Sequence, residues 1–369
     1  MGAGGWPAII RRLSPSHTPP DPWSAHAAEL FARDVGGSER APAWGPAIAL
    51  GADALPDGPF AAPLSDLGLL AVTGEEAAKF LHAQLTNDVE HLDAGVVRWA
   101  GWCTAKGRLL STFRYWRDAS AILLTVSRPL AAAQAKRLSM FVLRTQAKVA
   151  DASDAHAVFG LAGEPAAQAA ARAFGLAVPG ADASTSAGGA HLAGLPPLPG
   201  AAPLSRWLLV VPADAAGRAW TSLAAAATPV SGAAWRRTEV LAGIPRIVPG
   251  TVELFVPQML NFESVDGVNF RKGCYPGQEV VARSQYLGKL KRRMFVAHGD
   301  GAPPEPGSDV VSAAGDEPCG QVVLAAPDGA GGFDVLFESQ VAAVEAGTVF
   351  AGGRPLALGA LPYALKAID

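Results

Sequence analysis

The chain has 369 residues, of which 50% are hydrophobic and 17% are charged, and its formal net charge is −3 at pH 7. This length accommodates two or three domains and a large buried core. The slightly acidic balance argues against a protein that coats nucleic acid non-specifically. No run approaches the roughly 18–20 consecutive apolar residues of a membrane-spanning helix, so no membrane partner is expected.

The cysteines and an N-terminal basic pair bear on the compartment. Cys103, Cys274 and Cys319 lie far apart and form no CxxC pair. This odd, sparse set favours a reducing compartment without a disulfide framework. Arg11 and Arg12 are followed by Leu-Ser-Pro instead of an apolar stretch, which argues against a twin-arginine export signal. We therefore expect a soluble cytoplasmic protein.

Residues 1–60 are rich in Gly, Pro and Ala, and we predict a partly flexible extension with one short helix at 25–33. Regular structure is predicted from about residue 61. Residues 67–72 have the pattern of a buried strand, and Thr-Gly-Glu-Glu at 73–76 is typical of a capping box that opens a helix. Residues 99–116 predict a β-hairpin that turns at Ala-Lys-Gly-Arg.

Helices and strands continue through the middle of the chain. Ser127 is predicted to cap a helix with Pro129 in its first turn, running to about residue 142. The Gly/Ala/Pro/Ser-rich stretch near 177–204 predicts a long surface loop. Ser231 is predicted to cap a helix that ends at Gly243. The other predicted strands are 122–126, 147–149, 157–161 and 207–211, and the other predicted helices are 164–174 and 217–227.

The C-terminal part of the chain has a different pattern. From Lys291 onward, short strand-like runs alternate with turns such as DGAPPEPG and PDGAGG, which predicts a small all-β domain. The predicted fold class is therefore α+β over residues 61–285, followed by a β-barrel or sandwich domain over 286–369.

The segment KGCYPGQEVVAR, residues 272–283, holds the clearest candidate for chemistry. Pro276 suits the first position of a helix, which places Cys274 just ahead of a helix N-terminus. Free backbone N–H groups, the helix dipole and the nearby Lys272 would lower the pKa of the thiol or hold an anionic ligand. A small buried hydrophobic side chain accounts for the cysteine equally well. The residues alone leave both interpretations open.

Two other roles for Cys274 find little support in the sequence. A Cys/His hydrolase needs a partner base, and none of the seven histidines has a recognisable catalytic context. A single cysteine without nearby Cys or His ligands does not make a closed zinc or iron–sulfur site, so no metal ligands are predicted. A cluster shared with another protein, or bridged between two subunits, stays open.

Basic residues are densest around this segment. Charge alone fits a solvated strand edge, an anion site for a carboxylate-tailed cofactor, or a site for RNA phosphates. No RNP, KH, P-loop or GxGxxG pattern indicates a dedicated nucleic-acid or dinucleotide site. The basic residues are Arg271, Lys272, Arg283, Lys289, Lys291, Arg292 and Arg293.

Tryptophans offer surfaces on which a planar cofactor would stack. Trp235 lies in the predicted helix SGAAWRRTEVLAG, on the face that also carries Thr238, Glu239 and Ala242. A core position and a wall for a stacked heterocycle are both compatible with this placement. The same two alternatives hold for the tryptophans of the predicted hairpin, Trp99, Trp102 and Trp116.

Four segments, in order, resemble the YgfZ family of folate-binding proteins, which is related to the T-protein (aminomethyltransferase) of glycine cleavage. They are FLHAQLTNDV (80–89), CTAKGRLLSTFRYW (103–116), AGIPRI followed by VPQMLNFESVDGVNF (242–270), and KGCYPGQEVVAR (272–283) with GKLKRR just after. KGCYxGQE is the signature of that family. The resemblance implies an aminomethyltransferase-like folate-binding fold, with two intertwined α+β subdomains and a C-terminal antiparallel β-barrel around a central channel for tetrahydrofolate.

The resemblance also implies a role in the assembly, repair or maintenance of iron–sulfur proteins, including enzymes that methylthiolate tRNA. The partners it implies are folate and iron–sulfur client or assembly proteins, with tRNA involved indirectly. The family's cysteine matches Cys274 and its lysine matches Lys272, so we predict a functional thiol and its activator. A folate-contacting tryptophan of the family matches Trp235. The other residues predicted to bind the cofactor are Tyr275, Gly277, Gln278, Glu279 and Arg283, with Lys289 near its glutamate tail.

Departures from the family pattern bear on catalysis. Leu67 falls where the family has a second folate-contacting tryptophan. The aspartate pair of the T-protein falls near Ser111 and Thr112, and its Arg-x-Glu-Ala-Gly pattern becomes Glu239-Val-Leu-Ala-Gly. Since both changes remove carboxylates that would position or deprotonate the folate amine, aminomethyltransferase activity is not expected.

Two alternatives stay open beside the accessory role. A folate-dependent one-carbon transferase would need a replacement acid or base, for which Asp266 and Glu279 are the candidates. A tRNA-modification factor that binds RNA would use the basic run, and its affinity would fall with salt.

Overall fold

A computed structural model of the chain describes residues 53–200, 203–286, 290–313 and 315–366. The predicted helix at 25–33 and most of the predicted N-terminal extension lie outside these residues. Within them, no helix is long and apolar enough to cross a membrane.

The helices and strands follow the predicted order closely. The first group is β1 (Phe60–Pro63), β2 (Leu67–Thr73), α1 (Ala77–His82), β3 (Val97–Cys103), β4 (Leu109–Arg117), β5 (Ala121–Ser127), α2 (Arg128–Ser139) and β6 (Lys148–Asp151). The second is β7 (His156–Ala162), α3 (Glu164–Phe174), β8 (Ser184–Ala187), β9 (Ala190–Leu198), β10 (Leu204–Pro212), α4 (Ala216–Ala224), β11 (Thr228–Pro229), α5 (Gly232–Leu241) and α6 (Gln278–Tyr286). The third is β12 (Arg292–Asp300), β13 (Asp309–Ser312), β14 (Gly315–Pro327), β15 (Gly332–Gln340), α7 (Val341–Glu345), β16 (Val349–Ala351), β17 (Arg354–Pro355) and β18 (Ala357–Leu358).

Two sheets are interleaved along the chain. One is antiparallel in the order β3-β4-β5-β2-β6, and it contains the predicted hairpin, in which Val97 pairs with Trp116. The other has the order β11-β1-β7-β10-β9-β8, with a parallel β1–β11 pair. Because β1 precedes β2 but pairs with β7, the chain enters the six-stranded sheet, builds the five-stranded one and then returns. Both sheets share one apolar core, in which Leu69 and Leu123 meet Val158 and Trp235.

The third sheet is a nearly closed, barrel-like antiparallel sheet in the order β17-β16-β13-β14-β15-β12-β18. Its interior is filled by buried apolar side chains such as Phe333, Val335 and Phe337. Arg237 on α5 donates a hydrogen bond of 2.6 Å from Nε to Asp334 on β15. Helix α5 therefore lies between the six-stranded sheet, through Trp235, and the barrel-like sheet, through Arg237.

The stretch near 177–204 is not the long loop that its composition predicts. It contains the hairpin of β8 and β9, which turns at Gly188 and Gly189. These glycines have φ values of 56° and 81°, and such left-handed turns match the twist of antiparallel strands. Small residues hid the pattern: β9 reads AHLAGLPPL, and it lacks the β-branched and aromatic residues by which strands are recognised.

The helix termini confirm the predicted cap at Ser231. They contradict two other predicted helix starts, the capping box at 73–76 and Pro276. The Ser231 hydroxyl accepts a hydrogen bond of 3.0 Å from the backbone N–H of Ala234, as expected of an N-cap. The capping box at 73–76 is wrong, because the carboxylate of Glu76 instead accepts from the backbone N–H of Gln146, at 2.8 Å. Pro276 does not open α6, since Gly277 has a φ of 80° and the helix begins at Gln278.

Candidate functional site

An open cleft of about 1110 Å³ lies between β3, the end of β9, the loop at 264–271 and the segment at 362–366. We call it the outer cleft. Trp99, Phe270 and Tyr363 provide aromatic surface in its lining. Charges of both signs surround them, from Arg98, Arg271, Lys366, Asp88, Asp182 and Asp266.

A smaller cavity of about 40 Å³, the inner cavity, adjoins the outer cleft, because Trp99 and Ile244 line both. Strand β4 supplies Thr112 and Arg114 to its wall, β10 supplies Arg206 and Leu208, and α5 supplies Trp235 and Glu239. The interleaving of the two sheets is what brings these distant segments around one space.

Trp235 is fixed in the wall of the inner cavity by a close approach of backbone. The indole is 2% exposed, and it packs against β7 at Gly160. A β-carbon added to Gly160 would lie 2.3 Å from Cδ2 of the ring, so only glycine leaves room there. The predicted surface for a heterocycle therefore lies at the cavity, while Trp102 and Trp116 of the hairpin are core residues, each 1% exposed.

The inner cavity retains a carboxylate, contrary to the expectation from the sequence. Glu239 lines it, 3.0 Å from the guanidinium of Arg246, which also donates to Asp66 at 2.7 Å. Burial raises the pKa of Glu239, and Arg246 only partly opposes this. At Asp66 burial also favours the neutral acid, but Arg246 and Arg236 outweigh it and hold the pKa far below the usual range. Candidate Asp266 lines the outer cleft, and candidate Glu279 is exposed on α6.

Lys272 is buried, whereas Cys274, two residues later, is exposed. Its ammonium donates hydrogen bonds to the backbone carbonyls of Leu85, at 2.8 Å, and of His82. It also lies 4.8 Å from the ring centroid of Tyr275. Burial lowers the pKa of Lys272 to about 8, while its attraction to Asp88 and Cys274 works in the opposite direction. The thiol thus faces solvent beside a cation that is held in place by backbone.

The remaining predicted cofactor residues follow along the same segment. Tyr275 is buried in a small apolar cluster with Phe262 and Val281. Gly277 packs so closely on the turn of the β3–β4 hairpin that a β-carbon there would lie 2.4 Å from the carbonyl oxygen of Thr104. Gln278 begins α6 and is half-buried, and Glu279 and Arg283 are exposed on that helix. Two of the sequence motifs, CTAKGR and KGCYPGQE, are therefore in direct contact.

Comparison with known proteins identifies the family. The chain is 33% identical to the tRNA-modifying protein YgfZ of Vibrio vulnificus over 66% of its own length and 71% of that protein. The chain belongs to the YgfZ family. It is also 34% identical to the YgfZ of Edwardsiella ictaluri over 64% of the chain and 70% of the relative, and 28% identical to that of Cronobacter sakazakii over 82% and 92%. No protein-family model matches the chain.

Among solved structures, the fold is similar to that of the glycine cleavage system aminomethyltransferase T from Bartonella henselae. The TM-score is 0.64 at 16% identity, and the match covers 85% of this chain and 88% of the other. This likeness shows the fold alone. It confirms the aminomethyltransferase-like fold predicted for the YgfZ family.

Leu67 departs from the YgfZ pattern, but an indole from another strand, that of Trp99, lines the same cavity. Leu67, which stands where the family has a second tryptophan, is buried and lines the inner cavity. Trp99 lines the same cavity and also reaches the outer cleft. An indole is therefore present beside Leu67, although it comes from β3 instead of β2.

Sequence reasoning missed a histidine–aspartate pair close to Gly273, the residue that precedes the YgfZ cysteine. Nδ1 of His82, at the end of α1, lies 2.9 Å from Oδ1 of Asp88. A β-carbon added to Gly273, the residue before Cys274, would lie 3.6 Å from Nε2 of the same imidazole. Asp88 in turn lines the outer cleft. The only trace of this pair in the sequence is the spacing His-x5-Asp within FLHAQLTND. That spacing does not indicate a site by itself, because Gly273 reaches the histidine only in the folded chain.

Two residues of the basic run of this YgfZ-family chain, Arg292 and Arg293, are committed to internal ion pairs. Arg293 is buried and pairs with the buried carboxylate of Glu263. Arg292 donates to Glu338 with its Nη2 at 3.1 Å. Lys291 is exposed, and Lys289 lies outside the described residues. Two of the arginines expected to hold an anion therefore serve the packing of the barrel-like sheet.

Proposed function

We propose that this protein binds tetrahydrofolate and acts in the cytoplasm as an accessory factor for the assembly, repair or maintenance of iron–sulfur proteins, including tRNA-methylthiolating enzymes. The observation that carries the proposal is the outer cleft, which narrows past Trp99 into a cavity walled by Trp235. The relatives' name, tRNA-modifying protein, fits an effect on tRNA through such enzymes. The three cysteines are unpaired, which suits a reducing compartment.

The residues of the cleft fit a folate. A volume of about 1110 Å³ exceeds the few hundred Å³ that a drug-sized ligand fills. The pterin ring would lie on Trp99 at the mouth of the inner cavity, since indole faces stack on planar heterocycles. Arg98, Arg271 and Lys366 line the same cleft and would meet the carboxylates of the glutamate tail. When bound, tetrahydrofolate supplies the capacity to carry a one-carbon unit.

We propose the three cations of the outer cleft for the glutamate tail in place of Arg283 and Lys289, the residues that the sequence suggested. Arg283 is exposed on α6, and it does not belong to the lining of the outer cleft. Arg271 immediately precedes Lys272 in the signature segment and does line the cleft. We therefore assign the glutamate tail of the folate to Arg271, Arg98 and Lys366.

Cys274 is proposed to be the functional thiol of the accessory role. It is exposed, so a client protein can reach it, and the buried ammonium of Lys272 lies close enough to interact with its charge. In a strain that lacks its own homologue, the wild-type chain should restore the activity of an iron–sulfur enzyme, and Cys274→Ala should not, at equal protein levels. Full restoration by Cys274→Ala would remove the thiol from the account.

A folate-dependent one-carbon transferase is the second candidate, and Glu239 is the observation that favours it. This carboxylate lines the inner cavity beside Trp235, and burial raises its pKa toward the range of a general acid. Incubation with tetrahydrofolate and formaldehyde, or with a glycine-derived donor, decides between the two. Turnover that Glu239→Gln abolishes supports the enzyme, and an inert wild-type protein supports the accessory role.

A further inference from the structure

The inner cavity is lined by two buried arginines, one from each of the two interleaved sheets. Arg114 on β4 is 3% exposed and Arg206 on β10 is 2% exposed. In the part of the chain that the structure describes, neither takes part in an ion pair. By contrast, the buried Arg246 nearby pairs with Asp66 and Glu239.

Neutral partners satisfy only part of the two guanidinium groups. Nη1 of Arg114 donates to the carbonyl of Gly194 at 3.2 Å, and its Cζ lies 4.1 Å from the ring centroid of Trp99. Arg206 donates to Oγ1 of Thr238 at 2.7 Å and to the carbonyl of Pro196 at 3.0 and 2.9 Å. Carbonyls and an indole face moderate a positive charge, but they do not cancel it.

The balance of charge around the inner cavity is therefore positive. Arg246 and Arg236 match the carboxylates of Asp66 and Glu239. Asp182 attracts Arg114 without forming an ion pair with it, so Arg114 and Arg206 together leave one positive charge in excess. Burial lowers the pKa of Arg114 to about 9, against the attraction of Asp182 and Glu239, and the proximity of Arg206 adds to the lowering. Burial likewise lowers the pKa of Arg206 to about 10. Both groups remain charged at neutral pH, so the cavity favours an anion.

We propose that Arg114 and Arg206 form a receptor for one carboxylate group in the inner cavity. Guanidinium groups present their N–H donors in a planar fork that matches the two oxygens of a carboxylate. A cavity of about 40 Å³ holds a group slightly larger than one water, whose share of liquid volume is about 30 Å³. Formate is the smallest such ligand, and a larger acid would extend past Trp99 into the outer cleft.

The carboxylate has two possible sources, a small free acid held beside the pterin or the glutamate tail of the folate itself. The inference goes beyond the proposed function, because binding of a small acid does not require folate. The charges favour the free acid, since Arg98, Arg271 and Lys366 already offer the tail a place in the outer cleft.

The test is calorimetric titration of sodium formate into the full chain without folate, at constant ionic strength. Wild type should bind formate saturably, and Arg114→Met and Arg206→Met should each weaken binding by about tenfold or more, the effect of losing one charge-assisted hydrogen-bonding group. Arg218→Met is the matched control, because exposed Arg218 lies 4.4 Å over the ring of Phe174 on α3, outside the cavity. It should bind formate as wild type does.

Two outcomes overturn the proposal: no saturable binding of formate by wild type, or equal binding by wild type and both methionine variants. The wild-type titration decides the matter even if a variant fails to fold. Competition between formate and tetrahydrofolate, absent with tetrahydropteroate, would assign the site to the tail, and simultaneous binding would assign it to a free acid. Formate binding by a protein that ignores tetrahydrofolate would uphold the receptor and refute the folate proposal.

Discussion

Gly160→Ala should disturb the proposed folate pocket without touching a ligand. The new β-carbon would lie 2.3 to 2.6 Å from three atoms of the Trp235 indole. The ring must retreat by about 1 Å to reach ordinary van der Waals contact at 3.4 Å. Trp235 lines the inner cavity, so the displaced indole would take up part of the cavity volume.

The size of the effect follows from two opposing terms. Overpacking of a core contact costs about 1–3 kcal/mol, whereas replacing glycine by alanine in a strand gains about 0.5–1 kcal/mol. We therefore expect a net loss of up to about 2.5 kcal/mol in the free energy of unfolding, measured by urea denaturation. The affinity for tetrahydrofolate, measured by calorimetry, should fall in the same variant.

Gly180→Ala is the matched control. No heavy atom lies within 4 Å of a β-carbon at Gly180, so its stability and folate affinity should stay at wild-type values. If Gly160→Ala matches the control in both measurements, the indole of Trp235 is not held against β7 in the way described, and the reasoning fails.

Three further substitutions test the cysteine segment and the basic run. Lys272→Met should slow the alkylation of Cys274 by iodoacetamide by up to about tenfold below pH 8, where the ammonium of Lys272 is charged. Above pH 8 the rates of the variant and of wild type should converge. A ratio of the two rates that stays constant across pH would contradict the electrostatic role of Lys272. His82→Gln should also slow alkylation near neutral pH, and an unchanged pH–rate profile would show that the imidazole does not act on the thiol. Arg293→Met should lower the free energy of unfolding, measured in urea, by about 3–5 kcal/mol, because it leaves the buried carboxylate of Glu263 without its partner. The control, Lys291→Met at an exposed position, should change it by no more than about 0.5 kcal/mol. Similar values for both variants would refute the structural role of Arg293.

Local patterns were sufficient to predict most of the regular structure. The hairpin of β3 and β4 carries alternating large residues and a Lys-Gly turn, and Ser231 has the chemistry of an N-cap. The β8–β9 hairpin was missed, because alanine, glycine and proline in its strands resemble a linker. The capping box at 73–76 failed because the backbone of Gln146, distant in sequence, took the carboxylate of Glu76.

The site divides in the same way. Trp235 and Cys274 stand in motifs, so the sequence alone is enough to propose them as site residues. Arg114 and Arg206 stand in strands of different sheets, and their side chains share a cavity only because the chain returns to its first sheet. Such a cluster has no local spacing to detect, and its significance lies in the absence of a direct ion pair to either arginine in the described residues.

The central claim is that a folate occupies the outer cleft and meets Trp235. The most direct measurement is an anaerobic calorimetric titration of tetrahydrofolate into wild type and Trp235→Ala, with folding of the variant verified by circular dichroism. The account predicts saturable binding by wild type and a loss of about tenfold or more in the variant, as expected for one stacking partner. Absence of saturable binding by the wild-type protein would contradict the account.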